Sequence, residues 1–246
     1  ARARLVSLLR QTQPAKFKRL APRECALPCA DGRPLAGDWY DADYFEHGVK
    51  SNWERGYSWQ LFGGLFRRTA GMLADTFTES EVYLDAGCAK GFLVRALREA
   101  GKDCRGFDHS PWAVSRADEA ARPFVALAGV DDYRFERAAD VLVALNLFET
   151  LTEAQIKSFL ARARPHTRHA LVAVIQSFAG DAERAAYESS SRDLSQRTLR
   201  TRDWWREAIT AAGWRQNALA RLVERQLQAH ELARKMGWQL YVFAPE

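Results

Sequence analysis

The most constraining feature of the sequence is a short apolar strand that ends in an acid and runs through a glycine turn into a helix. The segment from Glu81 to Gly91 reads Glu-Val-Tyr-Leu-Asp-Ala-Gly-Cys-Ala-Lys-Gly, and helical spacing continues from Phe92 to Ala100. A strand, a tight turn and a helix N-terminus in this order present backbone N–H groups and a partial positive charge to a ligand. We therefore expect a polar ligand at this turn.

Strand and helix patterns alternate after the turn. Helices are predicted at Pro111 to Ala121, with Ser110 as N-cap, and at Thr152 to Ala163, where Thr152 and Gln155 match a capping box. Strands that alternate with helices form a parallel sheet with helices on both of its faces. Four further strands of this α/β fold are predicted, at Cys104 to Asp108, Phe124 to Leu127, Val141 to Leu145 and His169 to Ile175.

Two acids that end neighbouring strands indicate the kind of ligand. Asp85 precedes the glycines of the turn, and the Gly-x-Gly-x-x-Gly pattern of dinucleotide-binding turns is absent. Asp108 ends the next strand, where a carboxylate can accept both hydroxyls of a ribose. No phosphate-binding lysine motif is present. The pattern therefore predicts a nucleoside without a polyphosphate, bound at the carboxyl ends of the strands.

An aromatic stretch precedes this part of the chain. Residues Trp39 to Trp59 interleave seven Trp, Tyr and Phe side chains with acids, His47 and Asn52, and a helix is predicted at Gln60 to Ala74. Core packing explains any one of these aromatic residues. As a group, mixed with so many polar side chains, they favour a lid over a ligand.

Composition limits the remaining possibilities. The chain of 246 residues carries a net charge of +5, and its basic residues cluster in Ala1 to Arg23 and in Arg192 to Arg206. Solvated helix faces and a basic arm explain these clusters better than nucleic-acid binding does, although the latter stays open. Cys25 and Cys29 lack a second ligand pair, so no metal site is expected. Without a membrane-length apolar run or a leader, we expect a cytoplasmic protein.

The motifs resemble those of the class I S-adenosylmethionine-dependent methyltransferases, particularly the bacterial members that modify small molecules. The first motif of that family is similar to Leu84-Asp-Ala-Gly-Cys-Ala-Lys-Gly-Phe-Leu93, and its second-strand acid lies in a segment similar to Gly106-Phe-Asp-His-Ser110. The segment from Ala139 to Glu149 resembles the fourth-strand motif, and Asp203 to Trp214 resembles the late helix that leads into a sixth strand. Gln239 to Phe243 fits the closing antiparallel strand.

This resemblance implies a Rossmann-like sheet of seven mostly parallel strands with an antiparallel last strand, helices on both faces, and an N-terminal helical and aromatic lid. It divides the chain into a basic extension and connector at 1–38 and one methyltransferase domain at 39–246. Within that domain, 39–75 would form the lid and its helix, and 178–202 a substrate-side insertion. The late arginines Arg192, Arg197 and Arg200 would then suit a carboxylate, phosphate or sugar-acid substrate, or merely solvate a helix.

The resemblance also implies a cofactor site for S-adenosyl-L-methionine, which leaves as S-adenosyl-L-homocysteine. Asp108 would hold the ribose hydroxyls and His109 would lie against the adenine, whose amino edge would contact Val130 and Asp131. The methionine end and the sulfonium would meet the first turn and the end of the fourth strand, while two tyrosines would close the site. These remaining cofactor residues are Asp85, Gly87, Cys88, Ala89, Gly91, Leu145, Asn146, Tyr44 and Tyr57.

One residue departs from the family pattern. Glycine is common where this chain has Ala89, and glycine serves where a backbone takes positive φ or approaches a ligand closely. We expect Ala89 to have negative φ, since a positive value costs an alanine about 1–2 kcal/mol.

Three functions remain open at this stage. The favoured one is O- or N-methylation of a small molecule, such as a natural product or a glycan precursor, with His47, Tyr57 or Glu149 as the catalytic base. The second is RNA or protein methylation, although Asn146-Leu-Phe-Glu149 stands where an Asn/Asp-Pro-Pro-Tyr motif is expected. The third is a non-catalytic domain that binds the cofactor, or has lost it, and serves in interactions.

Overall fold

The computed structural model describes residues 33–228 and 238–245. Nearly all of the predicted extension at 1–38, including Cys25, Cys29 and the first basic cluster, lies outside the described residues.

A seven-stranded sheet organises the described part of the chain. The strand order is β3-β2-β1-β4-β5-β7-β6, and β7 runs antiparallel to both β5 and β6 while the other pairs are parallel. The predicted Rossmann-like sheet with its antiparallel last strand is therefore confirmed. The strands are β1 Val82–Ala86, β2 Asp103–Asp108, β3 Val125–Leu127, β4 Ala139–Leu145, β5 Thr167–Ile175, β6 Trp214–Arg215 and β7 Gln239–Pro245.

Helices cover both faces of this sheet. The capping box predicted for Thr152 and Gln155 is present, with each side chain accepting a hydrogen bond from the backbone of the other residue. Single turns of 3-10 helix lie at Gly37–Trp39, Arg122–Phe124, Phe148–Thr150 and Arg164–His166. The α-helices are α1 Ala42–Phe45, α2 Trp59–Thr76, α3 Phe92–Glu99, α4 Pro111–Ser115, α5 Glu153–Ala163, α6 Asp181–Ser190, α7 Arg202–Ala211 and α8 Ala218–Gln228.

Helix α4 is shorter than the predicted helix, which was expected to reach Ala121. It begins as predicted, with Ser110 accepting a hydrogen bond from the Ala113 N–H, but it ends at Ser115. The backbone of Asp118 donates instead to the carbonyl of Lys90 in the turn after β1. A tertiary hydrogen bond has therefore replaced the continuation that the local pattern predicted.

The core lies on both faces of the sheet, which explains the continuous apolar run of β4. Leu142 and Ala144 pack on one face with Trp205 and Phe243, and the alternate residues of β4 pack on the other face. A third, aromatic cluster joins the segment before α2 to the start of α3. None of the described helices is long and apolar enough to span a membrane.

The chain order places a crevice at the carboxyl ends of β1 and β4. From β1 the chain proceeds outward to β2 and β3, and it then returns to β4 on the other side of β1. In open α/β sheets, ligands bind at the point where the strand order reverses in this way. The turn after β1 therefore lies where a ligand is expected.

Candidate active site

The turn after β1 is held by the end of β2. The backbone N–H groups of Gly87 and Cys88 both donate to the carbonyl oxygen of Phe107, at 2.9 and 3.0 Å. The next N–H, that of Ala89, donates to Oδ2 of Asp108 at 2.8 Å. These bonds fix the turn against the residue that the sequence predicts as the ribose ligand.

The expectation that Ala89 has negative φ is wrong. Its φ is +49°, in the left-handed region that L-residues other than glycine seldom adopt. The strained conformation directs the Ala89 N–H at the Asp108 carboxylate. That charge-assisted bond offsets part of the conformational cost, and it explains why alanine is tolerated at this position.

The glycines of the turn have separate structural reasons. Gly87 has φ of +74°, and a Cβ there would lie 2.9 Å from Cδ1 of Leu147. Gly91 also has positive φ, but its missing Cβ faces Ala121 and Val125. Gly91 therefore starts α3 and allows close packing, and it is not among the residues that line the cavity described next.

Most of the predicted cofactor residues line a single cavity of about 140 Å³ at the carboxyl ends of the strands. Aromatic residues of the segment before α2 form the opposite wall, among them Tyr40, Phe45 and Trp53. The predicted residues in this cavity are Tyr44, Tyr57, Asp85, Gly87, Cys88, Ala89, Asp108, His109, Leu145 and Asn146.

A second cavity, of about 120 Å³, shares part of this lining. Val130 and Asp131 line it together with Asp108 and His109, so the two predicted adenine-edge residues lie beside the predicted ribose and adenine residues. The ring of His109 meets the ring of Tyr40 edge to face, with centroids 4.9 Å apart. The sequence-predicted residues therefore occupy two cavities that meet at Asp108 and His109.

Asp85 and Asp108 place two carboxylates in the first cavity. Both side chains are buried, and burial raises the pKa of each carboxyl, with the charge of Asp108 adding to the effect on Asp85. The Asp108 oxygens accept the N–H groups of Ala89 and Ser110, which leaves each oxygen a further lone pair. A ligand that combines positive charge with hydroxyl donors would satisfy this pair. S-adenosyl-L-methionine has a sulfonium, an ammonium and two ribose hydroxyls, so the residues fit it.

Lys90 joins the turn to the aromatic segment, and its role was not predicted. Its side chain is buried, donates to the carbonyl of Tyr57 at 2.8 Å and pairs with Glu46. The Nζ atom also lies 5.0 Å from the centroid of the Trp112 ring. Its partner Glu46 is 44 residues away in the sequence, so only the fold reveals this pair.

The acceptor side of the cavity begins at the end of β4. Asn146 has φ of +53°, and its amide donates to Oε1 of Glu149 at 2.8 Å. Glu149 is buried, and burial raises its pKa to about 7 against the opposing hydrogen bonds from Asn146 and the Gln176 N–H. Its second oxygen, Oε2, is buried without a hydrogen-bond partner. Glu149 lies behind Asn146 and is not itself among the residues that line either cavity.

The segment after α6 adds a polar group that the sequence reasoning missed. The hydroxyl of Tyr44, which lines the cavity, donates to Oδ2 of Asp193 at 3.4 Å. Ser195 holds the other oxygen of Asp193 through its backbone N–H and its hydroxyl. Burial raises the pKa of Asp193. No local motif marks Asp193, because its partner Tyr44 is 149 residues away in the sequence.

The other two candidates for the catalytic base differ in position. His47 lies outside both cavities, with its side chain 60% exposed and Nδ1 2.9 Å from Oδ1 of Asp43. Tyr57 lines the first cavity, but burial holds the pKa of its hydroxyl well above the ordinary value. Among the described side chains, no group of three His, Cys, Asp or Glu is placed to hold a metal ion.

Comparison with known proteins identifies the family of the chain. Residues 59–234 match the model of a family described as a methyltransferase domain. No curated protein sequence matches the chain.

Solved structures share the fold at low sequence identity. An S-adenosylmethionine-dependent methyltransferase from Archaeoglobus fulgidus has a TM-score of 0.54 at 13% identity, covering 75% of this chain and 94% of its own. A putative O-methyltransferase from Nostoc punctiforme has the same TM-score at 15% identity, covering 84% and 65%. Human N-acetylserotonin methyltransferase in complex with S-adenosylmethionine has a TM-score of 0.51 at 13% identity. The alignment covers 76% of this chain and 52% of the human protein.

The family match spans well over half of the chain and includes the turn, the strand-end acids and the helices around them. The predicted family and enzyme class are therefore confirmed: the chain belongs to the methyltransferase domain family and is a class I S-adenosyl-L-methionine-dependent methyltransferase.

Proposed function

We propose that this methyltransferase transfers a methyl group to an oxygen or nitrogen atom of a small molecule, such as a natural product or a glycan precursor. The observation that carries the proposal is the enclosure of the cavity by the aromatic segment before α2. Tyr40, Phe45 and Tyr57 are each only 5–8% exposed, and Lys90 ties their segment to the turn after β1. An acceptor that reaches such a cavity is small, or presents a narrow group.

On the cofactor side, the chain supplies binding and orientation. S-adenosyl-L-methionine, when bound, provides the activated methyl group. Asp108 would accept the ribose hydroxyls with the lone pairs that its backbone bonds leave free, and Asp85 would face the positive charge of the methionine end. His109, Val130 and Asp131 border the space assigned to the adenine. Orientation of this kind supplies roughly 7–11 kcal/mol in well-aligned two-substrate reactions.

Of the three candidate bases, Glu149 has the best-matched proton affinity. Its pKa of about 7 allows it to take up a proton near neutral pH, whereas the Tyr57 hydroxyl is held protonated. It contacts Asn146, a residue of the cavity wall, and its Oε2 atom has no partner. His47 is not included in the proposed site because its side chain is 60% exposed and pairs with Asp43, which lines neither cavity.

Charge pairing gives little support to nucleic acid as the acceptor. Most arginines of the late basic cluster lie within 4 Å of an acid, which reduces the net positive charge of this surface. The pairs are Arg192 with Glu54, Arg200 with Glu153, Arg202 with Glu183 and Arg206 with Glu224. Human N-acetylserotonin methyltransferase, one of the similar folds, is named for a small-molecule acceptor.

Calorimetry with S-adenosyl-L-homocysteine tests the cofactor side. We expect binding to the wild type, and a loss of at least about 100-fold in affinity in Asp108→Ala, because two charge-assisted hydrogen bonds to the ribose are removed. Asp203→Ala, an exposed carboxylate at the start of α7, is the control and should bind normally. Unchanged affinity in a folded Asp108→Ala protein would refute the ribose assignment.

The acceptor class is tested by labelled transfer. The enzyme is incubated with S-adenosylmethionine carrying a radioactive methyl group and with three fractions of a bacterial lysate: small molecules, RNA and protein. We expect label in the small-molecule fraction, with no transfer by Asp108→Ala. Label in RNA or protein alone would contradict the proposed acceptor class while leaving the enzyme class intact.

A further inference from the structure

Arg197 differs from the other arginines of the segment that precedes α7. Arg192 and Arg200 are exposed and pair with Glu54 and Glu153. The three guanidinium nitrogens of Arg197 are buried, and none has a hydrogen-bond partner. From the sequence, all three arginines are candidate ligands of an anionic substrate. In the structure, Arg192 and Arg200 have acidic partners and Arg197 has none.

The backbone of Arg197 is fixed beside the end of β4. Its N–H donates to the carbonyl of Glu149 at 2.7 Å, and the N–H of Thr198 donates to the same oxygen at 3.0 Å. The Thr198 hydroxyl donates to the carbonyl of Leu151 at 2.7 Å. Three hydrogen bonds therefore hold this short stretch against the segment that carries Asn146 and Glu149.

Arg197 does not itself line either cavity, but its backbone is bonded to Glu149, the residue before Thr150. Tyr40 and Thr150 line both cavities, and burial raises the pKa of the Tyr40 hydroxyl while the Thr150 hydrogen bond and the positive charge of Arg197 oppose the rise. The backbone bond to Glu149 therefore holds Arg197 near Thr150, a residue of both cavity walls.

An unpaired buried guanidinium is costly. The group has five N–H donors and stays charged at any pH a protein experiences, so it cannot escape the cost by losing a proton. Buried charges are retained where a partner of opposite charge completes them. The missing partner of Arg197 is an anion.

The acids of the neighbouring segments do not pair with Arg197. Oε1 of Glu149 accepts from Asn146 and from the Gln176 N–H while its Oε2 atom has no partner, and the Asp193 carboxylate accepts from Ser195 and Tyr44. We propose that Arg197 binds an acid group, a carboxylate or a phosphate monoester, of the methyl acceptor. This inference rests on the proposed small-molecule function and names the class of its substrate.

The cavity lining indicates the rest of that molecule. Trp53, Phe62, Phe66 and Val174 contribute apolar surface to the wall of the first cavity. Apolar and aromatic walls with a few placed polar groups bind an apolar body and fix its orientation through its polar group. The acceptor class is therefore an apolar or aromatic molecule that carries both an acid group and the hydroxyl or amine to be methylated.

The test compares an anion with its neutral isostere. Benzoate, phenyl phosphate and benzamide are titrated by calorimetry into enzyme saturated with S-adenosyl-L-homocysteine, for the wild type, Arg197→Met, Arg197→Lys and Arg200→Gln. We expect benzoate or phenyl phosphate to bind the wild type about 10- to 100-fold more tightly than benzamide. The two anions decide between a carboxylate and a phosphate. Arg197→Met should lose the preference, Arg197→Lys should keep part of it, and Arg200→Gln should keep all of it.

Thermal unfolding of the ligand-free proteins separates recognition from a structural role. Removing an unpaired buried charge should leave the midpoint of Arg197→Met equal to that of the wild type or higher. A lower midpoint, no preference for either anion in the wild type, or a preference that survives in Arg197→Met would each overturn the proposal. Binding of S-adenosyl-L-homocysteine to the wild type is measured in the same series, so failure of the cofactor site is recognised separately.

Discussion

Buried carboxylates at the two ends of the central sheet differ in their hydrogen bonding. Asp140, at the amino end of β4, accepts the N–H groups of Glu81 and Val82 at 2.8 and 2.9 Å and a hydrogen bond from Arg168 at 3.0 Å. Burial alone would raise its pKa, but these bonds hold the pKa below the usual range. The fold therefore supplies hydrogen-bond donors to both oxygens of this carboxylate.

Asp85, at the carboxyl end of the adjacent strand, has no such support. Its side chain lies in the cavity with no hydrogen-bond donor among the described residues, and burial together with Asp108 raises its pKa well above the usual value. The strained backbone lies at the same end of the sheet. Ala89 and Asn146, the two non-glycine residues with positive φ among those described, follow β1 and β4.

This difference separates stability from function. Unpaired carboxylates and strained backbone each cost free energy, and they persist where the surrounding fold holds them for a ligand. At the amino end of the sheet, the carboxylate of Asp140 ties the start of β1 to β4. The comparison can be tested by removing one group from each end.

The largest change in the free energy of unfolding is expected at the amino end of the sheet. Asp140→Ala leaves the N–H groups of Glu81 and Val82 without their acceptor and Arg168 without its partner, which should lower the free energy of unfolding at pH 7 by about 2–4 kcal/mol. The folded-state pKa of Asp140 is below the unfolded value, so its contribution is present above about pH 4 and is lost as pH falls through the folded-state pKa. Urea unfolding at pH 7 and pH 3 measures both differences. An equal loss at the two pH values would contradict the assigned ionic role.

At the carboxyl end of the sheet, removing the carboxylate should instead raise the free energy of unfolding. Asp85→Asn should raise the free energy of unfolding of the ligand-free protein at pH 7 by at least about 1 kcal/mol. The folded-state pKa of Asp85 lies above the unfolded value, so the wild type loses stability as pH rises from about 4 towards the folded-state pKa, and the amide variant does not.

The same urea experiment measures this variant. The stability gain should vanish near pH 4, while affinity for S-adenosyl-L-homocysteine falls at pH 7 because the cationic end of the ligand loses its partner. A variant that is less stable than the wild type at pH 7 would mean that Asp85 is a structural acid like Asp140, and the comparison would fail.

The sequence was informative where chemistry and fold are encoded locally. The strand, turn and helix from Glu81 to Glu99 were predicted because a short apolar run, glycines and a helical period stand next to one another, and Asp85 and Asp108 followed as strand-end acids. The capping box of α5 was confirmed for the same reason. The assignment of individual residues to ribose, adenine and sulfonium stays a prediction.

Long-range contacts account for what was not predicted. The Lys90 side chain meets Glu46 and its carbonyl ends α4 early, and neither contact has a local signal. The three late arginines are equivalent in sequence, but only the fold separates the exposed pairs from the buried Arg197. The positive φ of Ala89 likewise has no local signal, and its N–H donates to Asp108 at the end of the next strand.

The smallest change in the free energy of unfolding is expected from relieving the backbone strain at Ala89. Ala89→Gly removes a cost of about 1–2 kcal/mol for an L-residue at positive φ, while the more flexible unfolded chain costs about 0.5–1 kcal/mol. The free energy of unfolding should therefore rise by about 0.5–1 kcal/mol, as measured by urea unfolding. The N–H bond to Asp108 belongs to the backbone and is kept, so affinity for S-adenosyl-L-homocysteine should be unchanged.

Ala186→Gly, at an exposed position inside α6, is the matched control for this change. It should lower the free energy of unfolding by about 1 kcal/mol, since glycine is unfavourable in a helix without strain to relieve. If Ala89→Gly loses stability as the control does, the turn holds no strain, and only the unpaired carboxylates distinguish the carboxyl end of the sheet from the amino end. If it gains stability without losing affinity, strain and ligand binding at this turn are separable, and the left-handed residue is needed for the direction of its N–H alone.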